Sequence, residues 1–179
     1  MARLIVDASL ACAWCFPDEQ TDYTQAVLRA VSGSTDALAP RLWAYEVRNG
    51  VLMGVRRGRI PRAHADRFLA SLSRMRVGLT DPHSYDAVFA LAELHGLTIY
   101  DAAYLDLALR EGLPLASLDA KLRKAADKSG VLLFEPQESA YSRVSPTVIP
   151  RACETCAPGN RKLNRAPRPN ADSTHISPP

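Results

Sequence analysis

The sequence predicts an α/β domain built on a mainly parallel sheet, and three observations carry that prediction. Apolar runs of three or four residues, such as Leu4-Ile5-Val6 and Val131-Leu132-Leu133-Phe134, are too short for buried helices and read as buried strands. Between them lie longer segments with helical apolar periodicity. Acids also follow closely on such runs, Asp7 directly after Val6 and Asp119 two residues after Ser117. In sheets of this class the functional crevice lies outside the carboxyl ends of the strands.

In chain order, Leu4–Val6 is the first strand. Ser9 can cap a helix that includes Leu10 to Cys15, and Pro17 ends it. A helix follows from about Thr21 to Val31, closed by Ser32-Gly33. Leu38-Ala39-Pro40 is a weak strand and turn. The helix from about Arg41 to Arg57 sets Trp43, Ala44, Val47, Val51, Leu52 and Val55 on one stripe, with Glu46 roughly opposite its centre. Gly58 and Pro61 break it, and the next helix, about Arg62 to Met75, turns Phe68, Leu69 and Leu72 inward. Val77–Thr80 is a strand, and Pro82 starts a helix to about His95 with Val88, Leu91, Ala92 and Leu94 apolar. Leu97-Thr98-Ile99-Tyr100 leads straight to Asp101 and a helix with Ala102, Leu105 and Leu109 in phase. Pro114–Ser117 is a strand, Asp119 begins a helix, and Val131–Phe134 is the last strand.

The 179 residues suffice for one domain with a sizeable core, assigned to residues 1–138. Residues 139–179 hold Pro146, Pro150, Pro158, Pro167, Pro169, Pro178 and Pro179 without apolar periodicity, and read as a disordered basic tail. The tail has six basic and two acidic residues. Subtracted from totals of 22 and 19, these leave 16 basic and 17 acidic groups in the domain, so the domain is not broadly basic. No apolar run approaches the ~20 residues that span a bilayer. The start, MARLIVDAS, lacks a signal core and reads as strand, so a cytoplasmic location with no membrane partner is expected. Two C-x-x-C pairs, Cys12/Cys15 and Cys153/Cys156, invite zinc. They lie far apart, and no His stands at ligand spacing, so packing and chance spacing is the favoured reading.

Four acids stand out: Asp7, Glu46, Asp101 and Asp119. Asp101 and Asp119 each have an ordinary reading as helix caps. That reading covers Asp7 poorly, because Ser9 is the better cap, and Glu46 not at all, because it lies inside a helix. If all four share one pocket, their repulsion calls for a divalent cation. All-oxygen ligands suit Mg²⁺ or Mn²⁺, and such a site binds phosphate and activates water, so phosphodiester hydrolysis is the natural reaction.

Four blocks in this order, LIVDAS with WCFPDE after it, APRLWAYEVRNGVL, LTIYDAAYLDLAL and LPLASLDAKLRKAA, resemble the PIN-domain ribonucleases of the VapC type over about residues 3–135. These are the toxin halves of toxin–antitoxin pairs. The resemblance implies a three-layer α/β/α sandwich and metal-dependent endonucleolytic cleavage of RNA. It also implies inhibition by a small cognate antitoxin, and a homodimer. Asp7, Glu46, Asp101 and Asp119 match the family's acidic site. Asp7 and Asp101 are the foremost metal ligands. Glu46 and Asp119 bind the metal directly or through water, or orient the attacking water. Ser9 and Ser117 are candidates to hydrogen-bond a carboxylate, a metal-bound water or a phosphate, or else serve as cap and turn residues. Asn49, one turn after Glu46, is a candidate to support that glutamate, or else serves in packing. Arg48, Arg56, Arg57, Arg59 and Arg62 form either a solvated helix end or a phosphate-contacting rim. Asp106 reads as a surface residue. The alternatives are a PIN-like nuclease acting in RNA processing or on DNA flaps without an antitoxin, and a non-catalytic binding module whose acids are caps.

Overall fold

Leu4, Ile5 and Val6 have no exposed surface, as a strand covered on both faces requires. They belong to β1 (Arg3–Val6) of a computed structural model that describes residues 3–33 and 35–136. The expected tail from 139 and the Cys153/Cys156 pair lie outside the described residues. β1 is flanked by β2 (Asp36–Pro40) and β4 (Leu115–Ala116), with β3 (Val77–Thr80) outside β2, giving the order β3-β2-β1-β4. Every pairing is parallel, with Ile5 opposite both Leu38 and Leu115.

Among the described residues seven α-helices flank the sheet: α1 (Ala8–Cys15), α2 (Asp22–Ser32), α3 (Trp43–Arg56), α4 (Arg62–Leu72), α5 (Tyr85–His95), α6 (Ile99–Glu111) and α7 (Ala120–Lys128). The chain steps from β1 to β2 to β3 in one direction, then returns past both to β4. Right-handed crossovers therefore send α1–α4 to one face and α5–α6 to the other. The packing agrees, since α1 meets α2 and α3, α3 meets α4, and α6 lies on β1, β2 and β4 with α5 and α7 beside it. This is the expected α/β/α sandwich. The strand order reverses beside β1, which opens a crevice at the carboxyl ends of β1 and β4.

Local signals set the helix starts. Thr21 caps α2 in a reciprocal pair with Thr24, Ser84 caps α5 and Thr98 caps α6. Because the cap is Thr98, α6 begins two residues before Asp101, which falls inside the first turn. The interior side of α3 is Trp43, Val47, Val51 and Gly54, while Leu52 is exposed. That departs from the predicted stripe because α1 packs on glycines. A Cβ on Gly50 would stand 2.5 Å from Cys12 Sγ, and one on Gly54 would overlap the Phe16 ring. Leu94 and Leu109, also expected inside, are exposed. The predicted last strand shrinks to a single bridge, Leu133 beside Leu115, because β4 is only two residues long. Leu115 N–H donates to Leu132 O, and Phe134 N–H to Leu115 O, both at 2.8 Å.

Candidate active site

Asp7 leaves the carboxyl end of β1 and occupies the N-cap position of α1, yet its side chain makes no cap hydrogen bond. It is 5 % exposed, and two hydroxyls hold it. Ser9 donates to Asp7 Oδ2 at 2.5 Å, and Ser117 donates to the same oxygen at 2.7 Å. Ser9 is therefore not the cap the sequence suggests. Its oxygen accepts instead from Leu118 N–H at 3.0 Å, and Ser117 Oγ accepts from Asp119 N–H at 3.0 Å. The two serines thus fasten the β1–α1 junction to the β4–α7 junction. Burial pushes the Asp7 carboxyl above its ordinary range; Ser9, Ser117 and the Ala8 amide pull it back, and the Asp101 charge adds to the rise.

Glu46, in the first turn of α3, is half-buried. Tyr104, fully buried on α6, donates its phenol to Glu46 Oε2 at 2.5 Å. Burial raises the Glu46 carboxyl, Tyr104 opposes the rise, and the charges of Asp7 and Asp101 add to it. Asn49 is exposed and has no hydrogen bond to Glu46 among the described residues, so the support assigned to it comes from Tyr104. Tyr104 went unread in the sequence because it sits in an apolar run. The available signal was a phenol one helical turn after Asp101, since a buried tyrosine hydroxyl needs a partner.

Asp101 accepts the Thr98 hydroxyl at 2.8 Å on Oδ2, while its own N–H donates to Thr98 Oγ1. Asp119 is an N-cap, its Oδ1 accepting Leu122 N–H at 2.8 Å, as the ordinary reading of that residue had it. It joins Asp7 through Ser117. Asp7, Glu46 and Asp101 are thus brought within each other's electrostatic reach, and all four acids lie at the starts of helices, whose partial positive ends face such charges favourably. None of the four forms an ion pair among the described residues. A half-buried acidic group without cationic partners, offering only hard oxygen ligands, fits Mg²⁺ or Mn²⁺ rather than zinc. Among the described residues no group of three or more His, Cys, Asp or Glu side chains is drawn together closely enough to hold a metal ion. Cys12 and Cys15 are free thiols, the former pushed up to about 12 chiefly by burial, with Asp7 and Glu46 among the lesser causes.

The basic rim is narrower than the sequence suggests. Arg59 bridges Asp18 and Glu19, each at 2.7 Å, and lies over the Phe16 ring, while Arg62 pairs with Asp66. Arg48 remains exposed two residues after Glu46, and among the described residues it bonds only to Ala44 O of its own helix. Asp106 is not the surface residue expected. Its side chain is 13 % exposed and pairs with Arg110 at 3.6 Å, because position 106 turns back toward α6's own last turn.

A profile of the PIN-domain family matches residues 4–128. Ribonuclease VapC3 of Pyrobaculum aerophilum is 39% identical over 124 residues, 67% of this chain and 92% of that protein. The crystal structure of PAE2754, also from Pyrobaculum aerophilum, aligns with a TM-score of 0.55 at 26% identity, over 69% of this chain and 84% of its own. FitAcB from Neisseria gonorrhoeae gives 0.52 at 18% identity, over 74% of this chain and 97% of its own. VapBC2 from Rickettsia felis, bound to a DNA fragment from their promoter, gives 0.51 at 14% identity over the same shares. The last two show likeness of fold alone.

Proposed function

The chain belongs to the PIN-domain family, and from that premise we propose that it is a divalent-metal-dependent endoribonuclease, the toxin of a toxin–antitoxin pair. The observation that carries the reading is the meeting of Asp7, Glu46 and Asp101, without cationic partners, at the sheet edge where the strand order reverses. Kinship with a protein named as a ribonuclease supports the reaction, and the resemblance of the four sequence blocks to VapC-type toxins supports a small antitoxin partner.

Asp7, Asp101 and Glu46 would hold the cation, with Asp119 at its margin. When bound, Mg²⁺ or Mn²⁺ supplies the charge that draws a phosphate oxygen and makes water nucleophilic at neutral pH. Ser9 and Ser117 both hold Asp7 Oδ2, so Oδ1 would be the oxygen offered to the cation. The helix starts that carry the acids also favour an incoming phosphate. Arg48, exposed beside Glu46, contacts the RNA backbone.

The test is cleavage of RNA with Mg²⁺ or Mn²⁺ by wild type, Asp7→Asn and Asp101→Asn. Activity should need the metal and both acids. Equal activity in all three, or none in a well-folded wild type, would refute the reading. Co-purification with the product of a neighbouring small reading frame, and loss of cleavage in that complex, tests the antitoxin. Cleavage of DNA flaps in preference to RNA would favour the processing alternative.

A further inference from the structure

The phenol of Tyr104 stands where three helices meet. The residue is on α6, one turn after Asp101. Its hydroxyl donates to Glu46 on α3, and the Ala8 amide at the start of α1 is within reach of the same oxygen. Tyr104 has no exposed surface, so water cannot substitute for either contact. Glu46 is long and only half-buried, and no other hydrogen bond holds its carboxylate among the described residues. Without the phenol it could swing through several rotamers. With it, Oε2 is anchored to the protein and Oε1 carries no hydrogen bond among the described residues. The same division appears at Asp7, where both serines occupy Oδ2.

We propose that Tyr104 is a positioning residue of the acidic site, its hydroxyl holding Glu46 at the place where that carboxylate and Asp7 can share one cation. The proposal rests on the metal-dependent reading above. Partners that orient ligands in this way are worth about 10–100-fold in metal affinity or activity. Removal of one oxygen by Tyr104→Phe keeps the ring and its packing.

The experiment titrates Mn²⁺ into the full chain by calorimetry and measures RNA cleavage and melting temperature alongside. Tyr104→Phe is expected to bind Mn²⁺ about tenfold more weakly and to need correspondingly more metal for half-maximal cleavage. The same change in a Glu46→Gln background should have no further effect on Mn²⁺ affinity, because the phenol acts through Glu46. A general loss of packing would instead weaken both backgrounds alike, and that result overturns the proposal. So does a Tyr104→Phe protein that binds Mn²⁺ as wild type does. A second measurement needs no change at position 104. The shielded Tyr104 hydroxyl proton should exchange slowly and give its own NMR signal, shifted by Mg²⁺ in wild type and unmoved by it in Glu46→Gln. A signal indifferent to Mg²⁺ in a wild type that binds the ion overturns the proposal alone. A wild type that binds neither ion overturns the reading of the site together with it.

Discussion

Replacing Gly50 with alanine should do opposite things depending on residue 12. A Cβ at Gly50 would stand 2.5 Å from Cys12 Sγ, while Cys12 Cβ is 3.8 Å away, an ordinary contact. Carbon and sulfur need about 3.5–4.0 Å, so Gly50→Ala alone either turns the Cys12 thiol out of its rotamer or moves α1 from α3 by roughly 1 Å. Overpacking of this kind costs about 1–3 kcal/mol, and the better helix propensity of alanine returns about 0.8–1.0 kcal/mol. A net loss near 1 kcal/mol lowers the melting temperature by about 4 °C in a domain of this size. In a Cys12→Ala background the sulfur is gone, and Gly50→Ala should then stabilise by up to about 1 kcal/mol. Activity follows the same logic. Asp7 begins α1, and Glu46 lies one turn before Gly50 on α3, so a displacement of about 1 Å between them should cost up to about 100-fold in cleavage. The assay is a four-variant cycle read by thermal melting without metal and by RNA cleavage with it. Gly50→Ala having the same sign and size in both backgrounds would refute the claim that glycine is there to seat α1 against the acids.

Asp7→Asn should abolish cation-dependent stabilisation and lower cleavage by about 100-fold or more, while raising the melting temperature in chelator above that of wild type. The sign follows from burial: with the folded pKa raised, Asp7 contributes stability below the unfolded carboxylate value and loses it as pH climbs through the folded one. Metal-free wild type should therefore melt progressively lower from the carboxylate range upward, and Asp7→Asn should flatten that slope; Glu46, raised by burial in the same direction, adds to it. Arg48→Glu should weaken RNA binding and reduce its salt dependence by about one phosphate contact, measured by filter binding across salt concentrations. Arg59→Ala should leave RNA binding unchanged and lower the midpoint of urea unfolding only slightly, since its partners Asp18 and Glu19 are solvated. Asp106→Ala leaves Arg110 its contacts with Glu111 and Asp81 O and should cost no more than about 1 kcal/mol in the same assay.

Much of this molecule is written in local pattern. Leu4–Val6 and Val77–Thr80 are legible because a short apolar run has few other uses, and most helices are found because threonine, serine and proline mark their starts. The α/β/α arrangement follows from alternation and handedness alone. What stays hidden depends on partners distant in the chain. Ser9 looks like a cap until Ser117, 108 residues later, is seen on the same Asp7 oxygen. Tyr104 looks like core until Glu46 is opposite it. Leu52 joins the apolar stripe on paper, but α1 selects the glycine side of α3 instead. Asp106 reads as solvated because i,i+4 pairing with Arg110 does not reveal how little water reaches either side chain. The final strand is apolar enough to pair, and the brevity of β4 limits it.

The β3-β2-β1-β4 order has a consequence for how such a protein is made. β1 is translated more than 100 residues before its neighbour on one side, β4. Until Leu115–Ala116 emerges and slots in, Asp7 lacks Ser117 and the crevice has only one wall. A nascent chain of the proposed kind therefore stays harmless to the RNA around it until β4 has joined β1 and given the cutting edge its second wall.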